Sequence, residues 1–244
     1  MDQHRDGRLI MRTSRFTQFG TWEGHITTSG ERTTLRAGEV MGVRDRSWGV
    51  RPIGAHIDAG PPPGLPEVYW IWSPVHFDDC CVHFGAFEDR HGDCWYTNAA
   101  IVPAHPTASD FPLLEEPGIQ RMPRVTNRIE WVKGTRRASR VELGLVSPRG
   151  ETRTIELEPM LPFQMQGIGY GHPEFGHGMW KGEEAVLAQR WNVFETNPLE
   201  PRGLHVQQVC RARMPGLGGE PDRVGVGLCE QVVFGPHARS GFQA

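Results

Sequence analysis

The sequence predicts an all-β, antiparallel protein, a barrel or a sandwich, built in two units. Three observations carry that prediction. Apolar and polar residues alternate with period two along most of the chain, the spacing that puts successive side chains on opposite faces of a strand. The 244 residues include 30 Gly and 20 Pro, which suits short strands joined by tight turns rather than a helical bundle. Turn clusters such as Ser29-Gly30-Glu31 and Asp89-Arg90-His91-Gly92-Asp93 fall between the alternating runs, where hairpins need them.

The elements follow in order. Thr21–Thr28 and Arg32–Arg36 read as a hairpin around Ser29-Gly30. Asp58–Pro66 holds four prolines and two glycines and reads as an exposed loop. Val68–Phe77 (VYWIWSPVHF) is apolar or aromatic almost throughout, so it predicts a strand covered on both faces. Val82–Glu88 and Cys94–Val102 flank the 89–93 turn and form a second hairpin. The Pro-rich stretch from His105 to Pro123 predicts a boundary, giving units 1–118 and 119–244. Beyond it, Arg124–Val132, Arg140–Val146 and Thr152–Pro159 alternate cleanly, and Leu204–Met214 pairs with Arg223–Phe234 across a Gly/Pro-rich connection. Gly182–Trp191 (GEEAVLAQRW) is the helical candidate, with acidic residues in its first turn. It fits neither period well and is equally open to a strand reading.

Composition narrows the function. Lys plus Arg is 26 and Asp plus Glu is 29, a formal charge of −3, so there is no general attraction to nucleic acid or an acidic membrane. No apolar run approaches the roughly 20 residues of a membrane helix, so membrane insertion is not expected. No apolar core follows the first residues, MDQHRDGRLIMRTSRF, so no secretory signal is read and the expected compartment is the cytoplasm. The five cysteines then read as reduced thiols, mostly core filler. The chain lacks G-x-S-x-G, S-x-x-K and P-loop motifs, and its glycine clusters do not spell G-x-G-x-x-G after a strand.

Two glycine-framed segments carry the candidate chemistry. In residues 42–51, GVRDRSWGVR, a strand would send Arg44, Arg46 and Trp48 one way and Asp45, Ser47 and Gly49 the other. In an aromatic-lined cavity Asp45 would have a raised pKa and serve as a general acid or base. The alternative is an Asp45–Arg ion pair with Trp48 as a core plug. Residues 169–178, GYGHPEFGHG, place His172 and His177 five apart around Glu174. That spacing does not suit a helical zinc motif, which needs histidines four apart. The loop could still gather ligands for iron or zinc with His205 or His237, move protons through His172 or His177, or simply bond its own backbone. Glu230 lies in an apolar strand, VGVGLCEQVVF, where a carboxylate needs a partner or a cavity to line.

The blocks GVRDRSWGVR, GIGYGHPEFGHGMWKGE (167–183) and GVGLCEQVVFGPHARSGF (225–242) together resemble a group that includes the carotenoid 1,2-hydratases (hydroxyneurosporene synthases) and the AttH-like proteins. The resemblance covers most of the chain from about residue 16. It implies tandem lipocalin-like, calycin-type β-barrels with a cavity for an apolar ligand. Members of the group carry a far longer region before the R-D-x-S-W-G block, so the first barrel is expected to be incomplete. Its open strand edges would favour a homodimer. The expected function is binding, and transforming, a small hydrophobic molecule of isoprenoid, steroid or polyketide type by cofactor-free, hydratase-type acid–base chemistry. Asp45, His172 and His177 are the expected catalytic residues. Arg44, Trp48, Arg51, Tyr170, Glu174, Trp180 and Glu230 are the expected ligand contacts, and no metal is assigned. The rival from another class is a non-catalytic carrier or sensor of the same ligands; a third is a fragment inactive on its own.

Overall fold

The computed structural model describes every residue except 6, 51–66, 106, 108, 109, 111–116, 169–171, 177 and 244. The loop expected at Asp58–Pro66 therefore lies outside the described residues. The chain's strands are all antiparallel and fall in two units, Met1–Ile53 and Gly54–Ala244, and the described residues between Gln164 and His205 form no strand.

The first unit contains β1 (Asp2–Arg5), β2 (Arg8–Thr21), β3 (Gly24–Thr28), β4 (Glu31–Leu35) and β5 (Met41–Val50). Strands β1, β2 and β5 form one sheet in that order, and β3 and β4 form a separate two-stranded sheet. The β3–β4 turn holds Ser29 at φ 53° and Gly30 at φ 83°, the two left-handed residues of a tight hairpin turn. No closed barrel forms among the described residues of this unit. Its sheet is thinly covered: Thr13 is buried, while Trp48 and Val50 are more than half exposed.

The second unit holds β6 (Val68–His76), β7 (Cys80–Glu88), β8 (Cys94–Pro103), β9 (Gln120–Arg121), β10 (Arg124–Trp131), β11 (Ala138–Val146), β12 (Thr152–Gln164), β13 (His205–Met214) and β14 (Arg223–Phe234). They form one sheet in the order β10-β11-β12-β13-β14-β6-β7-β8-β9. Each strand pairs with its chain neighbour, and the last long strand, β14, pairs back onto the first, β6. Only Met122 and Pro123 join the two ends of that order, β9 and β10. Two residues span about 11 Å at most between the flanking Cα atoms, so the sheet curls until its edges nearly meet. That is an eight-stranded up-and-down barrel with one open seam, between β8 and β10.

The expected boundary at residue 118 falls inside this sheet, because β8 pairs with β9 through Ala100↔Arg121 and Ile101↔Gln120. The Pro-rich stretch reads as a linker, yet it connects neighbouring strands of one barrel. The units divide near residue 53 instead. The candidate helix at Gly182–Trp191 is neither helix nor strand and is largely exposed.

Alternation decides what fills the barrel. Val82, Phe84 and Ala86 on β7, Val141, Leu143 and Leu145 on β11, and Cys229, Gln231 and Val233 on β14 are all fully buried. Side chains fill the interior, as eight-stranded barrels allow. Gln231 is the polar exception: its amide donates to Gln208 at 2.7 Å and accepts from the Ala138 N–H at 2.7 Å, so the apolar core leaves neither group of that amide unmet.

Candidate functional site

The outer face of the barrel over β6 and β7 should be polar if it met only water. It is not. Trp70, Trp72, His76 and His83 point away from the interior, since Ile71, Ser73 and Val75 point into it, yet all four are buried. Val68–Phe77 is thus covered on both faces, as its sequence predicts. Trp70 packs on Phe87 with ring centroids 4.2 Å apart, and Phe87 stacks on Trp95 at 4.8 Å. A band of aromatic rings therefore runs from β6 to β8.

At the β14 end of this band lies a titratable pair. Glu230 sits directly opposite Trp72 across the β14–β6 pairing, and its Oε1 accepts from His205 Nε2 at 2.6 Å. Side-chain exposure is 8% for His205 and 16% for Glu230. A charge-assisted bond of this length fixes the imidazole ring and its tautomer. The Trp72 Nε1–H is buried without a hydrogen-bond acceptor among the described residues, which is uncommon for an indole. A held imidazole, a carboxylate and an unused donor beside an aromatic wall can orient a polar group on an apolar molecule and move a proton.

A second buried polar cluster closes one end of the barrel. Glu88 accepts from Asn127 Nδ2 at 2.5 Å, from His237 Nε2 at 3.1 Å and from Arg239 Nη1 at 3.0 and 3.1 Å on its two oxygens. Tyr69 donates to Asn127 at 3.0 Å and stacks on the His237 ring at 3.9 Å; burial pushes its phenol pKa well up. Both Glu88 oxygens are occupied, so this cluster anchors the C-terminal segment His237–Phe242 and leaves little for a ligand. Glu88, Tyr69 and Asn127 are not singled out by the sequence reading. The signal that points to Glu230, a carboxylate in an apolar strand, also marks Glu88 in CCVHFGAFE.

The expected site residues scatter over the chain. Asp45 on β5 lies 3.5 Å from Arg15 and 3.4 Å from the Thr17 hydroxyl. On the other face of β5, Arg44 sits over the Phe16 ring at 5.7 Å, and Trp48 packs on the same ring at 6.1 Å. His172 is buried, and its Nδ1 accepts from the amides of Glu174 at 3.1 Å and Phe175 at 2.9 Å. Its ring hydrogen is then on Nε2, facing Gln189 Oε1 at 3.2 Å. Nδ1 thus holds the local turn, and Nε2 ties it to Gln189. Glu174 is exposed, and Trp180 is 80% exposed. Arg51, Tyr170 and His177 lie outside the described residues. Of the expected set, the structure joins His172 to Glu174 through that turn and Glu230 to His205. Among the described residues no three His, Cys, Asp or Glu side chains gather as a metal site.

No curated protein matches the sequence. Two solved structures are similar in shape: kievitone hydratase from Nectria haematococca, at 14% identity and a TM-score of 0.46, and a candidate AttH from Nitrosomonas europaea, at 11% and 0.48. Each match covers 91% of this chain and 53% of the other, so the chain spans about half the length of these proteins. At such scores the likenesses carry no argument, and the barrel stands on its own strand pairing. The model of a family of unknown function, DUF8625, matches residues 2–243, and the chain belongs to that family.

Proposed function

We propose that this chain binds a small hydrophobic molecule, of isoprenoid, steroid or polyketide type, against the outer aromatic face and moves a proton to or from it through the His205–Glu230 pair. The observation that supports this reading is the 2.6 Å imidazole–carboxylate contact opposite the unused Trp72 donor. For hydration of a double bond, the imidazolium gives its proton to one carbon and the neutral ring then takes a proton from the water that adds to the other. Glu230 holds the ring and balances its charge. Asp45 and His177 remain part of the proposal as acid–base groups, whereas His172 is engaged in its own turn.

The test separates catalysis from carriage. Wild type, Glu230→Gln and His205→Gln are titrated with a fluorescent apolar probe, anilinonaphthalene sulfonate. Each is then incubated with isoprenoids bearing a terminal double bond in ¹⁸O-water. The proposal expects label in the product, turnover down about 100-fold in either variant, and probe affinity changed less than about threefold, because apolar burial dominates binding. Binding without label in the wild type would make the chain a carrier. Full turnover in both variants would remove the pair from the chemistry.

A further inference from the structure

The seam between β8 and β10 offers a second site, which shares Trp95 with the aromatic band. β8 and the continuous stretch Gln120–Trp131 run antiparallel. They pair at Ala100 and Ile101, and the Met122 N–H donates to the Ala99 carbonyl at 2.9 Å. At Pro123, which has no N–H to donate, the stretch leaves β8 and joins β11 at Arg124↔Val146. From there two strand edges diverge, Cys94–Thr97 on one side and Arg124–Thr126 on the other. No backbone bond crosses between them among the described residues. The space is a cleft of about 590 Å³. At its far end Arg239 closes it, donating to the Asn127 carbonyl at 2.6 Å and the Gly92 carbonyl at 3.4 Å.

We propose that this cleft takes an extended peptide segment of about four residues, which adds a strand to the open edge of β8. Three observations favour a peptide over a hydrocarbon. First, two of its walls are the β8 and β10 edges, which make no backbone bond to each other there among the described residues, beside Val146, Gly150 and Thr152 of the β11–β12 hairpin; an apolar ligand would desolvate those edges unpaired. Second, the length agrees: the β8 edge that lines the cleft is Cys94–Thr97, four residues and about 13 Å of extended chain. Third, the chain already does this itself, since β9 is a two-residue strand added to the same edge. The interaction is β-augmentation continued past Pro123. Arg124 is the charged side chain in the lining, exposed and without an ion pair among the described residues, so the segment carries an acidic residue there.

Cys94 lines the cleft and is exposed, while Cys80, Cys81, Cys210 and Cys229 are buried. That gives a direct test. The folded protein is equilibrated in a glutathione buffer with three thiols: the peptide Cys-Val-Glu-Val amide, its proline counterpart Cys-Pro-Glu-Pro amide, and decanethiol. Intact mass gives the share of Cys94 carrying each, and hydrogen exchange reports the amides of residues 95–97 and 124–126. The proposal expects at least a tenfold preference for the extended peptide over the proline one. It also expects slowed exchange on both edges, and a roughly threefold drop in capture when Arg124→Ala is used. Equal capture of the two peptides, preference for decanethiol, or capture without protection overturns it. If Cys94 does not exchange, Thr126→Cys presents the thiol from the opposite edge and the same three outcomes decide.

Discussion

Arg239→Ala tests whether the C-terminal segment holds the barrel shut. The guanidinium donates to both Glu88 oxygens at 3.0 and 3.1 Å and to the Asn127 carbonyl at 2.6 Å. Glu88 is 2% exposed and Arg239 is 46% exposed at the side chain. Removing one partner of a fully buried ion pair costs about 3–5 kcal/mol. Water reaches half of this arginine, so screening lowers the figure to about 2–3 kcal/mol. His237 and Asn127 stay on Glu88, which keeps the loss from being larger. For a unit of this size that lowers Tm by roughly 5–10 °C. The assay is urea unfolding followed by tryptophan fluorescence, run beside Glu88→Gln and the double variant. Because the single change strands a buried carboxylate, Glu88→Gln in the Arg239→Ala background should recover part of the loss. A single-variant loss below about 1 kcal/mol, or strictly additive losses, would refute the reasoning.

Two further outcomes concern stability. Burial pushes the Cys81 and Cys210 thiols up to about 12 and Cys80 to about 11, from a usual 9.0. Groups whose pKa is raised on folding favour the folded state below their unfolded value, so stability should hold to about pH 9 and fall as pH rises toward 12. Replacing Cys81 and Cys210 by Ala should flatten that alkaline limb in unfolding titrations; an unchanged limb would assign it to other groups. Gly225→Ala would place a Cβ 2.0 Å from the His76 carbonyl oxygen, where β14 meets β6. Backbone cannot yield there as a side chain would, so a loss of about 3 kcal/mol in urea unfolding is expected, and a loss under about 1 kcal/mol would mean the two strands separate easily.

Local pattern made the strands legible, and closure was not. Arg223–Phe234 is bounded by its own turn chemistry, and the two-faced burial of Val68–His76 follows from its composition. The pairing of these two strands is long-range, and period-two alternation carries no term for which strand lies next to which. The same gap produced the boundary at residue 118. Proline density does not separate a connection between neighbouring strands from a linker between units, because both share that composition. Gly182–Trp191 has helix-forming residues and an acidic start, yet no apolar stripe wide enough to bury, and propensity alone does not sustain a short helix.

The candidate site shows where parity matters more than residue type. Glu88 and Glu230 carry one sequence signal, a carboxylate embedded in an apolar strand. On β7 the inward positions are even, through Val82, Phe84, Ala86 and Glu88, so Glu88 enters the barrel end and is consumed by Asn127, His237 and Arg239. On β14 they are odd, through Cys229, Gln231 and Val233, so Glu230 faces outward and meets only His205 among its described partners. A slip of one residue would exchange their surroundings. Composition therefore nominates both carboxylates equally. The inward saturation of Glu88 and the outward, singly bonded state of Glu230 are what separate a fastening from a group with bonding capacity left for a ligand.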